Sequence, residues 1–184
     1  MGEIKSHPPV KLFVGIIVAA SQPLDAIHQR LTADWGNIDY VSPTLPFSYT
    51  SYYEREMGAN LARQFVSFER LILPDELADC KRLSNEIEAE FSQDEGVPRP
   101  VNLDPGYVSA AKLVLASTKD HAHRLYLRDG IYAEITLRYY QKTFRPWDWT
   151  YPDYRTPAYI EIFNDIRRIY LEQLRQRGLT AHPV

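Results

Sequence analysis

The apolar run Val10–Ala20 (VKLFVGIIVAA) places the tightest constraint on how this chain can fold. Both faces of the run are apolar when it is extended, which is typical of a strand in the middle of a sheet. Gly15 at its centre favours the close approach of a neighbouring backbone. The run is too short to span a bilayer, and no small-residue cleavage site completes a signal peptide. We therefore expect a central β-strand and no association with a membrane.

The composition is that of an ordinary soluble globular protein, with 45% hydrophobic and 24% charged residues. A chain of 184 residues is most simply one domain, 1–184, with frayed ends at 1–9 and 180–184. The formal net charge of -3 argues against nucleic-acid binding, which needs a surplus of Lys and Arg to neutralise phosphates. Cys80 is the only cysteine, so an internal disulfide and a thiolate zinc cluster are excluded and a cytoplasmic location is expected.

The order of predicted elements indicates the fold class. Up to residue 103 the pattern predicts a strand at 10–20, a helix ending at Gly36, strands at Ile38–Val41 and Arg63–Ile72, a helix opening at Pro74 and a strand at Val101–Leu103. Asp104-Pro105-Gly106 is typical of a turn after that last strand. This βαββαβ order predicts an α+β fold, a ferredoxin-like plait.

The second half is expected to extend the plait with a short helix, a β-hairpin and a C-terminal helix. Ser109–Ser117 fits either a short buried helix or a strand, and we favour the helix. The last helix begins at Pro157 after the capping residue Thr156 and ends at Gly178.

The hairpin can close in either of two registers. A two-residue turn at Asp129-Gly130 mixes apolar and charged side chains on both faces. A three-residue loop, Arg128-Asp129-Gly130, shifts every pair by one and separates them. We favour this second register, which gives one face Leu125, Leu127, Ile131, Ala133, Ile135 and Leu137, and the other Arg124, Tyr126, Tyr132, Glu134, Thr136 and Arg138, with Arg124 opposite Glu134.

The stretch 99–140 holds the densest set of groups that could handle a ligand. Cations there can form charge-assisted hydrogen bonds to an anion, and tyrosine rings offer a stacking surface. We expect these groups to meet in one pocket that binds a small anionic or phosphorylated molecule. The predicted ligand-binding residues are Asn102, Asp104, Tyr107, Lys112, Ser117, Thr118, Lys119, Arg124, Tyr132 and Glu134.

The sequence assigns no reaction to this set. Asp104 and Glu134 could act as acid and base, and Ser117 or Thr118 as a nucleophile. Each of them could equally serve a turn, an ion pair or a helix end. Catalytic residues, cofactors and the question of enzyme activity therefore stay open.

A metal site is not expected. His121 and His123 would point to the same face of a strand, and Asp104 or Glu134 could complete a mixed site. The favoured hairpin register places His123 on the apolar face and Glu134 on the opposite one, so we interpret His123 as a packing residue.

The alternative function is a non-enzymatic interaction module. Two aromatic segments, 47–57 and 144–156, could bind another protein or a second copy of the chain as a homodimer. RNA binding on an open sheet face would need exposed aromatic residues on central strands, and the first strand reads as buried.

Several long motifs carry a family resemblance. They are PVKLFVGII near the start, SYYEREMG at 51–58, VNLDPGY at 101–107, KLVLASTKDHAHR at 112–124, GIYAEITL at 130–137 and WTYPDY at 149–154. Together they resemble an uncharacterised bacterial domain-of-unknown-function family, numbered forty-four sixteen, over nearly the whole chain. The resemblance implies no assigned activity.

Some members of that family bear a GTP-binding label, which the residues of this chain do not support. No G-x-x-x-x-G-K-[ST] string is present to cradle phosphates, and no G-x-G-x-x-G turn to bind a dinucleotide. The tetrapeptide 117–120 (STKD) faintly resembles the guanine-specificity motif of GTPases but lacks the spacer between Lys and Asp.

Overall fold

The computed structural model describes residues 2–19, 23–48, 54–58, 60–92 and 99–180, without the side chains of 54 and 55. Part of the predicted aromatic segment 47–57 and the predicted frayed residues 181–184 lie outside these ranges. In chain order the elements are β1 (Val10–Ala19), α1 (Leu24–Trp35), β2 (Ile38–Val41), β3 (Leu45–Phe47), α2 (Glu54–Met57), β4 (Leu61–Ile72), a 3₁₀ turn (Pro74–Glu76), α3 (Leu77–Ser92), β5 (Val101–Val108), β6 (Lys112–Ser117), β7 (Leu125–Arg128), β8 (Ile131–Tyr140), β9 (Thr143–Pro146), a 3₁₀ turn (Asp153–Arg155) and α4 (Pro157–Gln176).

The strands form one large antiparallel sheet, so the predicted mixed α+β class is confirmed. Among the described residues the sheet has nine strands in the order β2-β4-β1-β5-β6-β8-β7, with β3 paired to β4 and β9 to β8. β1 lies between β4 and β5 as predicted for a central strand. The sheet exceeds the four strands of a plait because β6 to β9 continue the same hydrogen-bonded ladder beyond β5.

Both faces of the sheet are covered by helices. Leu12, Val14 and Ile16 of β1 pack with α1 and α3 on one face. Phe13 packs on the opposite face against Phe163 of α4, with ring centroids 5.1 Å apart. This burial on both sides explains the continuous apolar run in the sequence. None of the helices in the described ranges combines the length and apolar character that crossing a membrane requires.

Two predictions for residues 101–117 are wrong. Asp104-Pro105-Gly106 does not turn the chain, because β5 continues through it while pairing with β1. Residues 109–117 do not form a helix: Ala110 and Ala111 make a tight turn, closed by the Ser109 N–H bonding the Lys112 C=O at 2.9 Å, and β6 follows. A short apolar run is compatible with a helix or a strand. Here residues 112–117 form a strand because they pair with both β5 and β8.

The hairpin combines features of both registers considered for it. Leu125 pairs with Ala133 and Tyr126 with Tyr132, as the favoured register predicts. The predicted three-residue loop is wrong. Asp129 and Gly130 both have positive φ, 53° and 75°, which is the geometry of a two-residue type I′ turn. A bulge between Tyr126 and Arg128 then shifts the pairing by one residue.

The predicted single apolar face of the hairpin is also wrong. A second bulge lies where Leu113 pairs with Leu137 but Val114 pairs with Ile135, so Thr136 is the extra residue. Leu137 therefore joins the core under α4, whereas Ile131 joins the core under α1 and α3. Leu125 is 73% exposed because β7 is the last strand of the sheet order.

Candidate functional site

β5 and β6 separate halfway along their length, and the missing N–H of Pro105 explains the position. Alternate residues of an antiparallel strand exchange hydrogen bonds with the same neighbour. Because Ser109 bonds Lys112 across the turn, every second residue before it, down to Pro105, faces β6. Proline has no N–H to donate. The last pair between the two strands is Gly106 with Leu115, next to Pro105.

Beyond the separation, helix α3 takes over the hydrogen bonding of β5. The Leu103 N–H donates to Oε1 of Glu88 at 2.7 Å, and Nζ of Lys81 donates to the Leu103 carbonyl at 2.8 Å. Lys81 and Glu88 lie two turns apart on one face of α3, so they reach the N–H and C=O of the same residue. Leu103 thus keeps both of its backbone groups hydrogen-bonded without a neighbouring strand.

A cavity of about 430 Å³ occupies the space between the separated strands. This volume lies within the range of small-molecule sites. Seven of the predicted ligand-binding residues line it, namely Asn102, Asp104, Ser117, Thr118, Lys119, Arg124 and Glu134.

Three predicted residues lie elsewhere. Tyr107 is buried in the core beneath α1 and α3. Lys112 lies at the far end of β6, opposite Arg138. Tyr132 packs its ring edgewise on Tyr126 at the outer strand, with centroids 5.3 Å apart. Side chains alternate along β5, so Tyr107 points to the opposite face from Asp104. The prediction of a turn at 104–106 hid this alternation.

Arg63 of β4 is a central group of the cavity that the sequence analysis missed. Its side chain is 3% exposed and forms ion pairs with Asp104 at 3.1 Å and Asp153 at 3.4 Å. Gly15 makes room for it, because a Cβ at that position would lie 2.7 Å from Nη1 of Arg63. The signal in the sequence was an arginine near the start of the predicted strand; in the structure Arg63 pairs with Ile17 of β1, and Phe65, two residues later, pairs with Gly15.

Aromatic rings surround the Arg63 guanidinium. Its Cζ lies 5.2 Å from the ring centroid of Phe47, 5.3 Å from that of Phe65 and 5.9 Å from that of Tyr154. Burial opposes the charged form, but the surrounding acidic groups outweigh it and raise the pKa of Arg63 above its ordinary value. The guanidinium therefore stays charged inside the protein.

Arg124 organises the β6 side of the cavity. It donates to Oε2 of Glu134 at 2.8 Å, to Oγ of Ser117 at 2.6 Å, to the Lys119 carbonyl at 2.9 Å and to the Tyr151 hydroxyl at 2.5 Å. The predicted pairing of Arg124 with Glu134 is confirmed. With these four acceptors engaged, Arg124 fixes the wall rather than offering its charge freely to a ligand.

Glu134 is buried and accepts two further hydrogen bonds. Oε1 accepts from the Thr136 hydroxyl at 3.0 Å, and Oε2 lies 3.2 Å from Nε2 of His123. The prediction that His123 and Glu134 lie on opposite faces is wrong, because His123 precedes β7 and its ring is free of the strand alternation. Within the described ranges, no group of three or more metal-ligating side chains gathers.

Arg99 and Asn102 form the third part of the wall, where β5 begins. Arg99 pairs with Glu88 at 2.9 Å and bonds the Asn102 side chain. Asn102 in turn donates to Oδ2 of Asp104 at 2.9 Å. This chain of contacts links Glu88, which bonds the backbone of β5, to Asp104, which pairs with Arg63.

Cationic side chains outnumber carboxylates in the lining of the cavity. The cationic residues are Arg63, Lys81, Arg99, Lys119 and Arg124, and the carboxylates are Asp104, Glu134 and Asp153. Burial raises the pKa of Asp153, and Arg63 partly opposes that rise. The cavity thus carries an excess of positive formal charge.

The groups considered for covalent chemistry form hydrogen bonds or ion pairs within the protein. The Ser117 hydroxyl oxygen accepts hydrogen bonds from Arg124 at 2.6 Å and from the Lys119 N–H at 3.1 Å. Both Asp104 and Glu134 are held by guanidinium groups. A nucleophile needs a proton acceptor, and a general base needs a carboxylate directed at substrate. The contacts of Ser117 and Glu134 direct these two groups at the protein.

The aromatic segment 144–156 borders the cavity. Trp147 and Trp149 stack with centroids 5.2 Å apart, and His123 continues the stack at 5.8 Å from Trp149. The Trp149 indole N–H donates to the Ile135 carbonyl at 3.1 Å. The segment is therefore fixed to β8 and leaves Tyr151 at the rim.

Comparison with known proteins places the chain in one family. No curated protein and no solved structure matches it. The model of a family described as Domain of unknown function (DUF4416) matches residues 8–170, which include every strand and most of α4. The chain therefore belongs to the DUF4416 family.

Proposed function

We propose that the protein binds a small anionic molecule, in particular a phosphorylated one, in the cavity between β5 and β6. The observation that carries this proposal is the lining of the cavity, where five cationic side chains face three carboxylates. A phosphate ester carries a charge of about -1.5 to -2 at neutral pH, which complements that excess. Leu115 and Ala116 also line the cavity and offer apolar surface to a carbon skeleton.

Lys81 and Lys119 are the cations best placed to contact the ligand. Arg63, Arg99 and Arg124 are each paired with carboxylates of the protein. Lys81 uses one donor on the Leu103 carbonyl, and an ammonium group has three. Lys119 is exposed where it lines the cavity.

Differential scanning fluorimetry with inorganic phosphate, nucleotides and sugar phosphates tests the proposal. A ligand that binds only the folded state raises the melting temperature, and the rise grows with the logarithm of its concentration above Kd. We expect a concentration-dependent rise with at least one phosphorylated compound. The absence of a shift with every member of this panel would contradict the proposal.

A pair of lysine variants locates the binding site. Lys119→Ala removes a charge at the mouth but keeps the backbone groups that bond Arg124 and Ser117. We expect it to weaken binding about tenfold, as for the loss of one charge-assisted hydrogen bond. Lys5→Ala, an exposed lysine near the amino terminus, is the matched control and should leave affinity unchanged. Equal affinities for the two variants would place the ligand elsewhere.

A second function, homodimerisation through the segment 144–156, is favoured by its exposed rings. Trp149 and Tyr151 remain 40% and 43% exposed. Aromatic residues that keep this much exposure are common at protein interfaces. Light scattering after size-exclusion chromatography tests it: a monomer at micromolar concentration would remove this alternative, and a dimer lost in Trp149→Ala would support it.

The fold and location complete the proposal. We propose that β1, α1, β2, β4, α3 and β5 form a ferredoxin-like unit, since the partial order β2-β4-β1-β5 is that of a plait and both helices pack on one face. We also propose a cytoplasmic location, because the single cysteine needs no oxidising compartment.

A further inference from the structure

We infer that the ligand carries a hydrogen-bond donor, a hydroxyl or an amine, close to its anionic group, and that Asp104 accepts this donor. The inference rests on the proposed function and narrows it to hydroxylated or amino-substituted phosphates and acids. Its basis is the unequal exposure of the three carboxylates in the cavity.

Only Asp104 among these carboxylates is open to the cavity to a substantial degree. Its side chain is 25% exposed, compared with 8% for Asp153 and 1% for Glu134. Glu134 and Asp153 act within the protein, on Arg124 and Arg63 respectively. A ligand in the cavity therefore meets one carboxylate.

The two oxygens of Asp104 have different surroundings. Oδ2 accepts from Arg63 at 3.1 Å and from Asn102 at 2.9 Å. Oδ1 has Lys81 at 4.0 Å, which is an ion pair but too long for a hydrogen bond. Among the described contacts Oδ1 thus retains acceptor capacity, and a carboxylate oxygen can accept two hydrogen bonds.

This oxygen decides which anions the cavity favours. A ligand without a donor places its negative charge beside Asp104 and is repelled. A ligand with a hydroxyl or amine converts the same contact into a charge-assisted hydrogen bond. Asp104 therefore acts as a specificity residue that selects anions bearing a donor.

The spacing sets how far the donor lies from the anionic group. Nζ of Lys81 and Oδ1 of Asp104 are 4.0 Å apart. Bonding of Lys81 by the anionic oxygens and of Oδ1 by the donor of one ligand therefore suits a skeleton that carries the two groups close together. Phosphorylated polyols and hydroxy acids have this arrangement, and simple alkyl phosphates lack it.

Calorimetric titration with glycerol 3-phosphate and propyl phosphate tests the inference on the full-length protein. The two esters share the phosphate and the three-carbon skeleton and differ in their hydroxyl groups. We expect glycerol 3-phosphate to bind about tenfold more tightly, which corresponds to one charge-assisted hydrogen bond. Equal affinities would overturn the inference and leave the proposed function standing, whereas binding of neither ester would overturn both.

Asp104→Asn supplies a second, opposite readout. Loss of the charge should lower the affinity for glycerol 3-phosphate and raise the affinity for propyl phosphate. The difference in affinity between the two esters should therefore shrink. An equal loss for both esters would show a merely structural role and overturn the inference. Circular dichroism and the melting temperature establish that the variant is folded. If it is not, the comparison of the two esters on the wild-type protein still tests the inference.

Discussion

The carboxylate of Glu88 on α3 accepts the backbone N–H of Leu103 on β5 at 2.7 Å. In an unbroken sheet that N–H would face a carbonyl of the neighbouring strand. Here the strand has moved away, and a side chain from the helix below replaces it, with Lys81 serving the carbonyl of the same residue. The candidate binding cavity depends on this substitution of helix side chains for a strand.

The Glu88 contact should be important for stability. Glu88→Ala leaves a buried N–H without an acceptor, and we expect it to lower the free energy of unfolding by about 1–3 kcal/mol. Glu86→Ala, an exposed change on the same helix, should alter it by less than about 0.5 kcal/mol. Urea unfolding measures both. Equal stabilities of these two variants would show that the Leu103 contact contributes nothing.

Glu88 should also make the free energy of unfolding depend on pH. Burial raises the pKa of Glu88 above 4.5, and Lys81 and Arg99 partly oppose the rise. A carboxyl group with a raised folded-state pKa binds protons more tightly in the folded state, so its contribution to stability is present below pH 4.5 and is lost as pH rises through the raised pKa. We expect the stability of the wild type relative to Glu88→Gln to fall as pH increases from 4.5. A constant difference would contradict this sign.

Gly15→Ala should displace Arg63. The added Cβ would lie 2.7 Å from Nη1 of Arg63 and 3.0 Å from the Phe65 ring, neither of which has space to move far in a buried site. We expect a loss of about 1–3 kcal/mol in unfolding free energy, typical of overpacking, together with weaker ligand binding. Gly2→Ala, which meets nothing within 4 Å, is the control. An unchanged unfolding midpoint for Gly15→Ala would show that Arg63 has room to move.

Lys11 is a buried cation remote from the cavity, and its loss should lower stability strongly. It is fully buried and donates to Asp39, to the Phe68 carbonyl at 2.7 Å and to Gln173 of α4 at 2.9 Å. Lys11→Met leaves the Asp39 carboxylate without its cation, and we expect a loss of about 3–5 kcal/mol. Combining it with Asp39→Asn should recover part of that loss in urea unfolding. If the double variant is as unstable as the sum of the single changes, the two residues are not coupled.

Cys80 should be inert in the folded protein. Burial raises the pKa of its thiol from 9.0 to about 12, which reduces the thiolate fraction by about a thousandfold. At pH 8 we expect slow reaction with a thiol-specific chromogenic reagent in buffer and complete reaction within minutes in denaturing urea. Rapid labelling of the native protein would contradict the buried position on α3.

Local patterns predicted the scaffold well, because they reflect burial. The continuous apolar run of β1 and the caps of α4 depend on neighbours close in sequence, and the structure has Thr156 as N-cap, its Oγ accepting from the Tyr159 N–H. The clustering of cavity residues could be predicted from 102 to 134 because β5, β6 and β8 follow one another in the sheet.

The rest depends on long-range pairing that a single sequence does not reveal. Arg63 reaches the cavity because β4 pairs with β1, and Lys81 because α3 packs under the separated strands. Asp104-Pro105-Gly106 has the residues of a turn, yet here the same proline ends pairing on one side of a continuing strand. Bulges at Thr136 and before Arg128 reverse the side-chain alternation on which the facing prediction depended.

Pro105 has one further consequence, for how such a protein can diversify. The gap beside β5 coincides with a feature of the backbone, a proline that has no N–H to donate to the adjacent strand. Exchange of the groups around the gap leaves that feature untouched, so new chemical preferences can evolve without rebuilding the opening. Conversely, a single codon change at this position can close the opening while every recognition group is retained.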